Sequence, residues 1–229
     1  MSIRPAIPVQ PTTLANLLMS LADIRRSYDR SELVEDHLPE TPIALIQNWL
    51  DHAIASPEVI DPTAMTLATA EPGGQPSARI VLLKGYQDGE LVFFTNYASR
   101  KGQTLDVNPC ACALFYWPGI ERQIRVEGQV HKLDGAQSDA YYHSRPLGSR
   151  LGAWASPQSR PATRASLEAS MAEMASRLGD QPPRPQHWGG YVLVPDYIEF
   201  WQGRENRLHD RIVYQRSAPE EWTRHRLAP

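Results

Sequence analysis

The chain has 229 residues, 41% hydrophobic and 21% charged, enough to bury a sizeable core as one large domain or two small ones. Its formal net charge of -3 supplies no global basic field, so neither nucleic acid nor an anionic membrane is favoured as a partner. The N-terminus lacks an apolar run of signal-peptide length and no stretch approaches the roughly 18 apolar residues of a membrane span, so a soluble cytoplasmic protein is expected.

Residues 1–12, with three prolines, read as a flexible lead-in to a single domain over 13–229. Leu14, Leu17, Leu18 and Leu21 recur at helical spacing. A second helical run opens at Pro42, carries Ile43, Ile46, Trp49, Leu50 and Ile54, and stops before Pro57. From residue 63 the period becomes that of strands. TAMTLATA, SARIVLLKGY and LVFFTN read as a three-strand antiparallel meander. SRKGQTLDVNP predicts a short helix stopped at its proline, and CACALFYW and RQIRVEGQVHKL predict two further strands. In the latter, Ile124, Val126 and Val130 point one way while Gln123, Arg125, Glu127 and Gln129 point the other. DGAQSDAYYHSRP and ATRASLEASMAEMASRLGD read as helices, and YVLVPDYIEFWQ, RIVYQR and WTRHRLAP as closing strands. Cys110 and Cys112 lie two apart on a strand, too extended for a mutual disulfide, and are expected to be small core residues without metal.

Several cationic clusters ask for an anion. Ser99, Arg100 and Lys101 stand at a helix start, where free amides and the positive dipole end favour a phosphate; a capping serine followed by two solvated cations fits the same spacing. Arg79 and Lys84 flank an apolar strand at odd separation, so they can act together only across a bulge or with Lys84 beyond the strand end. Tyr141, His143, Ser144, Arg145 and Ser149 suit a phosphate dianion or plain surface polarity. Three arginines and a histidine crowd WQGRENRLHDR, a cost that an anionic or electron-rich guest would offset.

R-x-V-L-L-K at 79–84, F-F-T-N at 93–96, S-R-K at 99–101, E-R-Q at 121–123, H-S-R-P at 143–146, G-A-W-A-S-P-Q-S at 152–159 and W-Q-G-x-x-x-R-L-H-D-R at 201–211 occur together in one order. From about residue 14 to the terminal R-L-A-P, the chain closely resembles the pyridoxine (pyridoxamine) 5'-phosphate oxidase family. The resemblance implies a mainly β fold with flanking helices, an antiparallel Greek-key-like split barrel. It also implies a homodimer with FMN at the subunit interface.

The family's activity, on this resemblance, is oxidation of pyridoxine or pyridoxamine 5'-phosphate to pyridoxal 5'-phosphate by dioxygen, releasing hydrogen peroxide and, from the amine, ammonia. For the cofactor the resemblance implies Arg79, Ile80, Val81, Leu82, Leu83 and Lys84 along the flavin. It places the FMN phosphate among Arg79, Ser99, Arg100 and Lys101, with Phe94, Thr95 and Gln123 beside them. Gln158, Ser159, Trp201 and Arg211 are implied to complete the pocket, part of it from the partner subunit. The substrate phosphate is implied to sit among Lys84, Tyr141, Arg145 and Ser149. The catalytic pair Arg207 and His209 is implied to cover the pyridine ring, and Arg25 and Tyr28 of an R-R-x-Y pattern to form a lid, with Ser27 where many relatives have an acidic residue. Related split-barrel oxidases of phenazine precursors would not need the Lys84, Tyr141, Arg145 and Ser149 set. A split-barrel protein that only binds flavin or haem would not need both Arg207 and His209.

Overall fold

The computed structural model of the chain describes residues 27–229; the helix expected around Leu14–Leu21, the lead-in and Arg25 lie outside them. Among the described residues nine strands form one antiparallel sheet: β1 (Ala64–Ala70), β2 (Pro76–Leu82), β3 (Gly85–Gln87), β4 (Glu90–Asn96), β5 (Cys110–Trp117), β6 (Arg122–Lys132), β7 (Trp188–Gln202), β8 (Asp210–Ala218) and β9 (Glu221–Leu227). Their order is β2-β1-β5-β6-β7-β4-β3, with β8 and β9 continuing from β7. Described residues also form helices α1 (Pro42–Ala55), α2 (Arg100–Val107), α3 (Gly135–Ser144), α4 (Leu147–Ala155) and α5 (Arg164–Leu178). The expected antiparallel β fold with flanking helices is present.

The sheet curls because β2 and β4, far apart in strand order, approach each other in space. The Leu83 amide donates to Thr63 O, on the β1 side, and the next amide, of Lys84, donates to Val92 O of β4. Lys84 therefore stands at the seam, just beyond the end of β2. This corrects the three-strand meander: LVFFTN pairs with short β3 and with β7, not with β2. The core fills the interior with alternating residues such as Met65, Leu67, Phe93, Phe115, Ile124, Val126 and Phe200, covered by Leu45, Ile46, Trp49 and Leu50 of α1. Cys110 is exposed and Cys112 half-buried, on the outer face, while Ala111, Ala113 and Phe115 point inward; the two cysteines are not core residues.

Helix α4 was not expected from the sequence, since LGSRLGAWA carries two glycines that lower helix propensity. Packing overrides this: Leu151 and Ala155 bury against Met174 of α5, with Met171 and Leu178 alongside. The N-terminal segment is strapped along the last strands by Asp210. That carboxylate accepts from Leu33 N at 2.9 Å, Arg204 Nη1 at 3.3 Å and Arg226 Nη1 at 2.5 Å, and Arg226 also pairs with Glu35. The strap lays Tyr28 over Gly203, where an added Cβ would meet its ring at 2.8 Å.

Pro195 interrupts β7, and β6 answers with a register shift at Glu127/Gly128. A Cβ on Gly128 would lie 2.0 Å from Val194 O. The Gly128→Ala variant is therefore expected to lose about 1–3 kcal/mol of stability, as overpacking does. Urea unfolding at fixed protein and cofactor concentration checks this; an unchanged midpoint would mean that the strands are free to separate there.

Candidate active site

The sequence-predicted residues fall into two groups in one chain. The first lines a cleft of about 500 Å³ where β2, β4, α3 and α4 meet. Ile80, Val81 and Leu82 come from β2, Lys84 from the seam, Phe94, Thr95 and Asn96 from β4, Lys101 from α2, and Tyr141 and Arg145 from the end of α3. Ser149, Gly152 and Ala153 of α4, Ser156 and Gln158 of the following loop, and Trp188 at the start of β7 complete it. Among the described residues the lining holds three cations, Lys84, Lys101 and Arg145, and no carboxylate.

Helix α2 presents Lys101 inward. Ser99 is its N-cap, accepting from Gly102 N and donating to Asn96 O at 2.6 Å. Tyr97 leaves room for nothing larger than glycine at position 102, where a Cβ would lie 2.0 Å from its carbonyl oxygen. The Lys101 ammonium donates to Thr95 Oγ1 at 2.8 Å, Gln158 Oε1 at 3.0 Å and Ser99 Oγ at 3.2 Å, all neutral acceptors. Burial, then the nearby positive charge of Arg79, pushes its pKa down to about 8. Arg145 is similarly uncompensated. Its Nη1 is buried without a hydrogen-bond partner, its guanidinium carbon sits 4.6 Å from the Trp188 ring centroid, and burial lowers its pKa.

Five expected cofactor residues near the cleft stand outside its lining. Ser99 is fully buried with its hydroxyl committed to the helix start, so the capping reading holds for it, whereas Lys101 is buried rather than solvated. Arg100 is exposed and pairs with Glu71 at 3.1 Å. Arg79 turns its donors to Leu67 O, Thr69 Oγ1 and Ser77 Oγ, although its charge still reaches Lys101. Leu83 points into the core. Ser159 is exposed, with a left-handed φ of 73°.

The second group lies on β6, β7 and β8, in the turn between β7 and β8 and at Tyr28 of the N-terminal segment, outside the cleft lining. Gln123, Trp201 and Arg211 are directly paired across the three strands and share one face. Buried Glu199 holds Arg211 through both oxygens, at 2.9 and 3.0 Å, and also takes Arg125 at 2.7 Å. The rings of Trp201 and His209 lie 4.7 Å apart, and Tyr28 packs edge-on against both at 5.7 and 5.5 Å. Arg207 follows Asn206 in a tight turn where both have left-handed φ, 62° and 54°, a strained pair for non-glycine residues.

The Arg204 amide donates to His209 Nδ1 at 3.1 Å. A backbone N–H only donates, so Nδ1 is the bare nitrogen and Nε2 carries the proton. Burial, then Arg207, lower the His209 pKa against the opposing charge of Asp210, which favours this neutral tautomer. The imidazole is thus built to donate from Nε2.

Sequence reasoning missed Asn96, Gly152, Ala153, Ser156 and Trp188 in the lining. The first four sit inside or beside quoted motifs; Trp188 had no signal beyond being a lone aromatic before two glycines.

Residues 53–177 match the family model described as Pyridoxamine 5'-phosphate oxidase, and residues 188–229 match that of the Pyridoxine 5'-phosphate oxidase C-terminal dimerisation region. The chain is 56% identical over 211 residues to the pyridoxine/pyridoxamine 5'-phosphate oxidase of Bordetella pertussis, covering 92% of this chain and 100% of that protein. Among solved structures it is similar to PhzG from Burkholderia lata 383 in complex with tetrahydrophenazine-1-carboxylic acid: TM-score 0.81, 33% identity, 89% of this chain and 100% of that one. A pyridoxamine 5'-phosphate oxidase-related, FMN binding protein from Nostoc punctiforme shares the split-barrel fold at TM-score 0.67 and 19% identity, covering 84% of this chain and 99% of that one. Family models on both parts of the barrel and an identity above one half along most of the chain agree: this protein belongs to the pyridoxine/pyridoxamine 5'-phosphate oxidase family.

Proposed function

We propose that the chain is an FMN-dependent oxidase converting pyridoxine 5'-phosphate and pyridoxamine 5'-phosphate to pyridoxal 5'-phosphate, with dioxygen as electron acceptor. The observation that carries this reading is the cleft with three cations and no carboxylate among its described lining residues. Its donors form two sets, Lys101 with Thr95 and Gln158, and Lys84 with Tyr141, Arg145 and Ser149. A phosphate on each of two ligands supplies the charge that both sets lack, at roughly 1.5–3 kcal/mol per charge-assisted bond. Buried Lys101 and the orphaned Arg145 Nη1 therefore fit FMN and a phosphorylated substrate. When bound, FMN supplies the redox chemistry, taking two electrons from the substrate's 4' carbon and passing them to dioxygen as hydrogen peroxide.

The chain's own residues bind and orient. In this reading Lys101, Thr95 and Gln158 hold the cofactor phosphate, the exposed apolar side chains of Ile80 and Leu82 face the flavin, and Lys84, Tyr141, Arg145 and Ser149 hold the substrate phosphate. Arg207 and His209 cover the substrate ring, His209 donating from Nε2 rather than taking a proton, because Nδ1 is occupied by the Arg204 amide.

A second copy completes the site in the same proposal. Ile80, 63% exposed, and Tyr116, 51% exposed, lie on the sheet's outer face with the Gln123, Trp201 and Arg211 row. Packing two such faces about a two-fold axis sets one chain's row and its Arg207–His209 turn against the partner's cleft. The match of residues 188–229 to a dimerisation region supports this arrangement.

The PhzG likeness favours a second reading, oxidation of an unphosphorylated tricyclic carboxylate. FMN-loaded protein is expected to release hydrogen peroxide and ammonia on pyridoxamine 5'-phosphate, with little turnover of pyridoxamine. Turnover of a dihydrophenazine carboxylate but not of the phosphate ester would reverse the assignment.

Lys101 binds phosphate as the ammonium, and its pKa lies at about 8, so affinity for FMN is expected to fall as pH rises through that value, by roughly tenfold per pH unit. The charge that faces it is Arg79, which stays protonated; its remaining contacts are neutral. Titrating apoprotein with FMN between pH 7 and 9.5 checks this. A flat profile, or the same slope in Lys101→Met, would contradict the role.

A further inference from the structure

We propose that Trp188 is the positioning residue for Arg145, the flat surface that aims its guanidinium at the substrate phosphate. The inference rests on the phosphorylated-substrate reading of the cleft. Trp188 opens β7, paired with Asn96 of β4, and is nearly buried at 7% exposure. Arg184 fixes its backbone by donating from Nη1 to Trp188 O at 2.7 Å. The ring belongs to a layered stack. Phe94 and Tyr141 have centroids 3.9 Å apart, and the Trp188 plane lies within 14° of Phe94 and 7° of Tyr141. Tyr142 abuts its edge at 5.4 Å. The indole thus has aromatic neighbours both parallel to its plane and at its edge.

Arg145 lies over this fixed plane at 4.6 Å, within cation–π range. Its helix has ended at Ser144, so its backbone alone does not direct the side chain. Nη1 is buried and unpartnered, a costly state unless something supplies an acceptor, and the residue lines the cleft. The indole thus holds a strong planar donor in place in the absence of the anion that it serves, which lowers the ordering cost of binding. Trp188 acts through its contact with Arg145, so its effect belongs in substrate binding and not in the chemical step.

The test is a double-mutant cycle on FMN-loaded protein. Trp188→Leu is expected to raise KM for pyridoxamine 5'-phosphate about tenfold while kcat and FMN affinity change less than about twofold. Trp188→Phe, which keeps a flat ring, is expected to recover most of that loss. In an Arg145→Ala background, Trp188→Leu is expected to add nothing further. A tenfold effect that persists in that background, or FMN affinity that falls in step with KM, would overturn the proposal and leave Trp188 as ordinary packing. Should Trp188→Leu not fold, the cycle is run with Trp188→Phe, where a KM effect as large in the Arg145→Ala background as in wild type overturns it. Calorimetric binding of inorganic phosphate to the same variants separates the two readings. Wild-type protein that binds phosphate through Arg145 and Trp188 but does not turn over the ester refutes the substrate assignment alone. Phosphate binding indifferent to Trp188 refutes the positioning.

Discussion

Positive charge held where no carboxylate answers it is the constraint on which the site depends. Several arginines outside the cleft meet carboxylates: Arg125 and Arg211 with Glu199, Arg204 and Arg226 with Asp210, Arg184 with Asp139. In the cleft, Lys101 is buried among neutral oxygens, and Arg145 rests on an indole with one nitrogen unpartnered. Leaving such groups uncompensated costs stability, a cost that an anionic ligand in the proposed site would remove. The capping of α2 by Ser99 and the seam that carries Lys84 serve the same end, delivering cations to one place from three separate elements.

The second constraint is separation. The His209, Trp201 and Tyr28 cluster is fully assembled, with its tautomer fixed by the Arg204 amide, yet it does not line the cleft whose ligand it is proposed to cover. The Asp210 strap keeps that cluster in order by tying the N-terminal segment, the 203–209 turn and β9 to one carboxylate. In the proposed arrangement the two clusters act together when a second copy presents its outer face. In the same proposed arrangement, a cofactor shared between subunits would stabilise the pair by mass action.

Much of this was legible in the sequence, for identifiable reasons. Pro42 and the spacing from Ile46 to Leu50 gave α1; the alternation in QIRVEGQV gave the inner and outer faces of β6; the odd separation of Arg79 and Lys84 left either a bulge or a place beyond the strand end for joint action, and Lys84 lies beyond the end of β2. Other features were not legible because they are set by tertiary contacts. CACALFYW is apolar on both faces, so its parity gave no hint that the cysteines face outward. Helix α4 forms against its glycines because α5 covers it. Trp188 gains its position from a stack with residues about 45 to 95 positions earlier in the chain, and no local pattern announces it. The division of the motifs into two clusters is likewise a property of strand order, not of motif order.

Subunit complementation tests the central claim most directly. Arg145→Ala chains weaken the cleft's hold on substrate and His209→Ala chains remove the cluster's donor, so at substrate concentrations near the wild-type KM each parent homodimer should turn over far more slowly than wild type. Unfolding and refolding the two together should form mixed dimers with one intact site each, recovering about a quarter of wild-type turnover per site for random pairing. Recovery to that level is the predicted result. Activity that stays at the average of the parents, despite verified mixed dimers, would contradict a site shared between two chains.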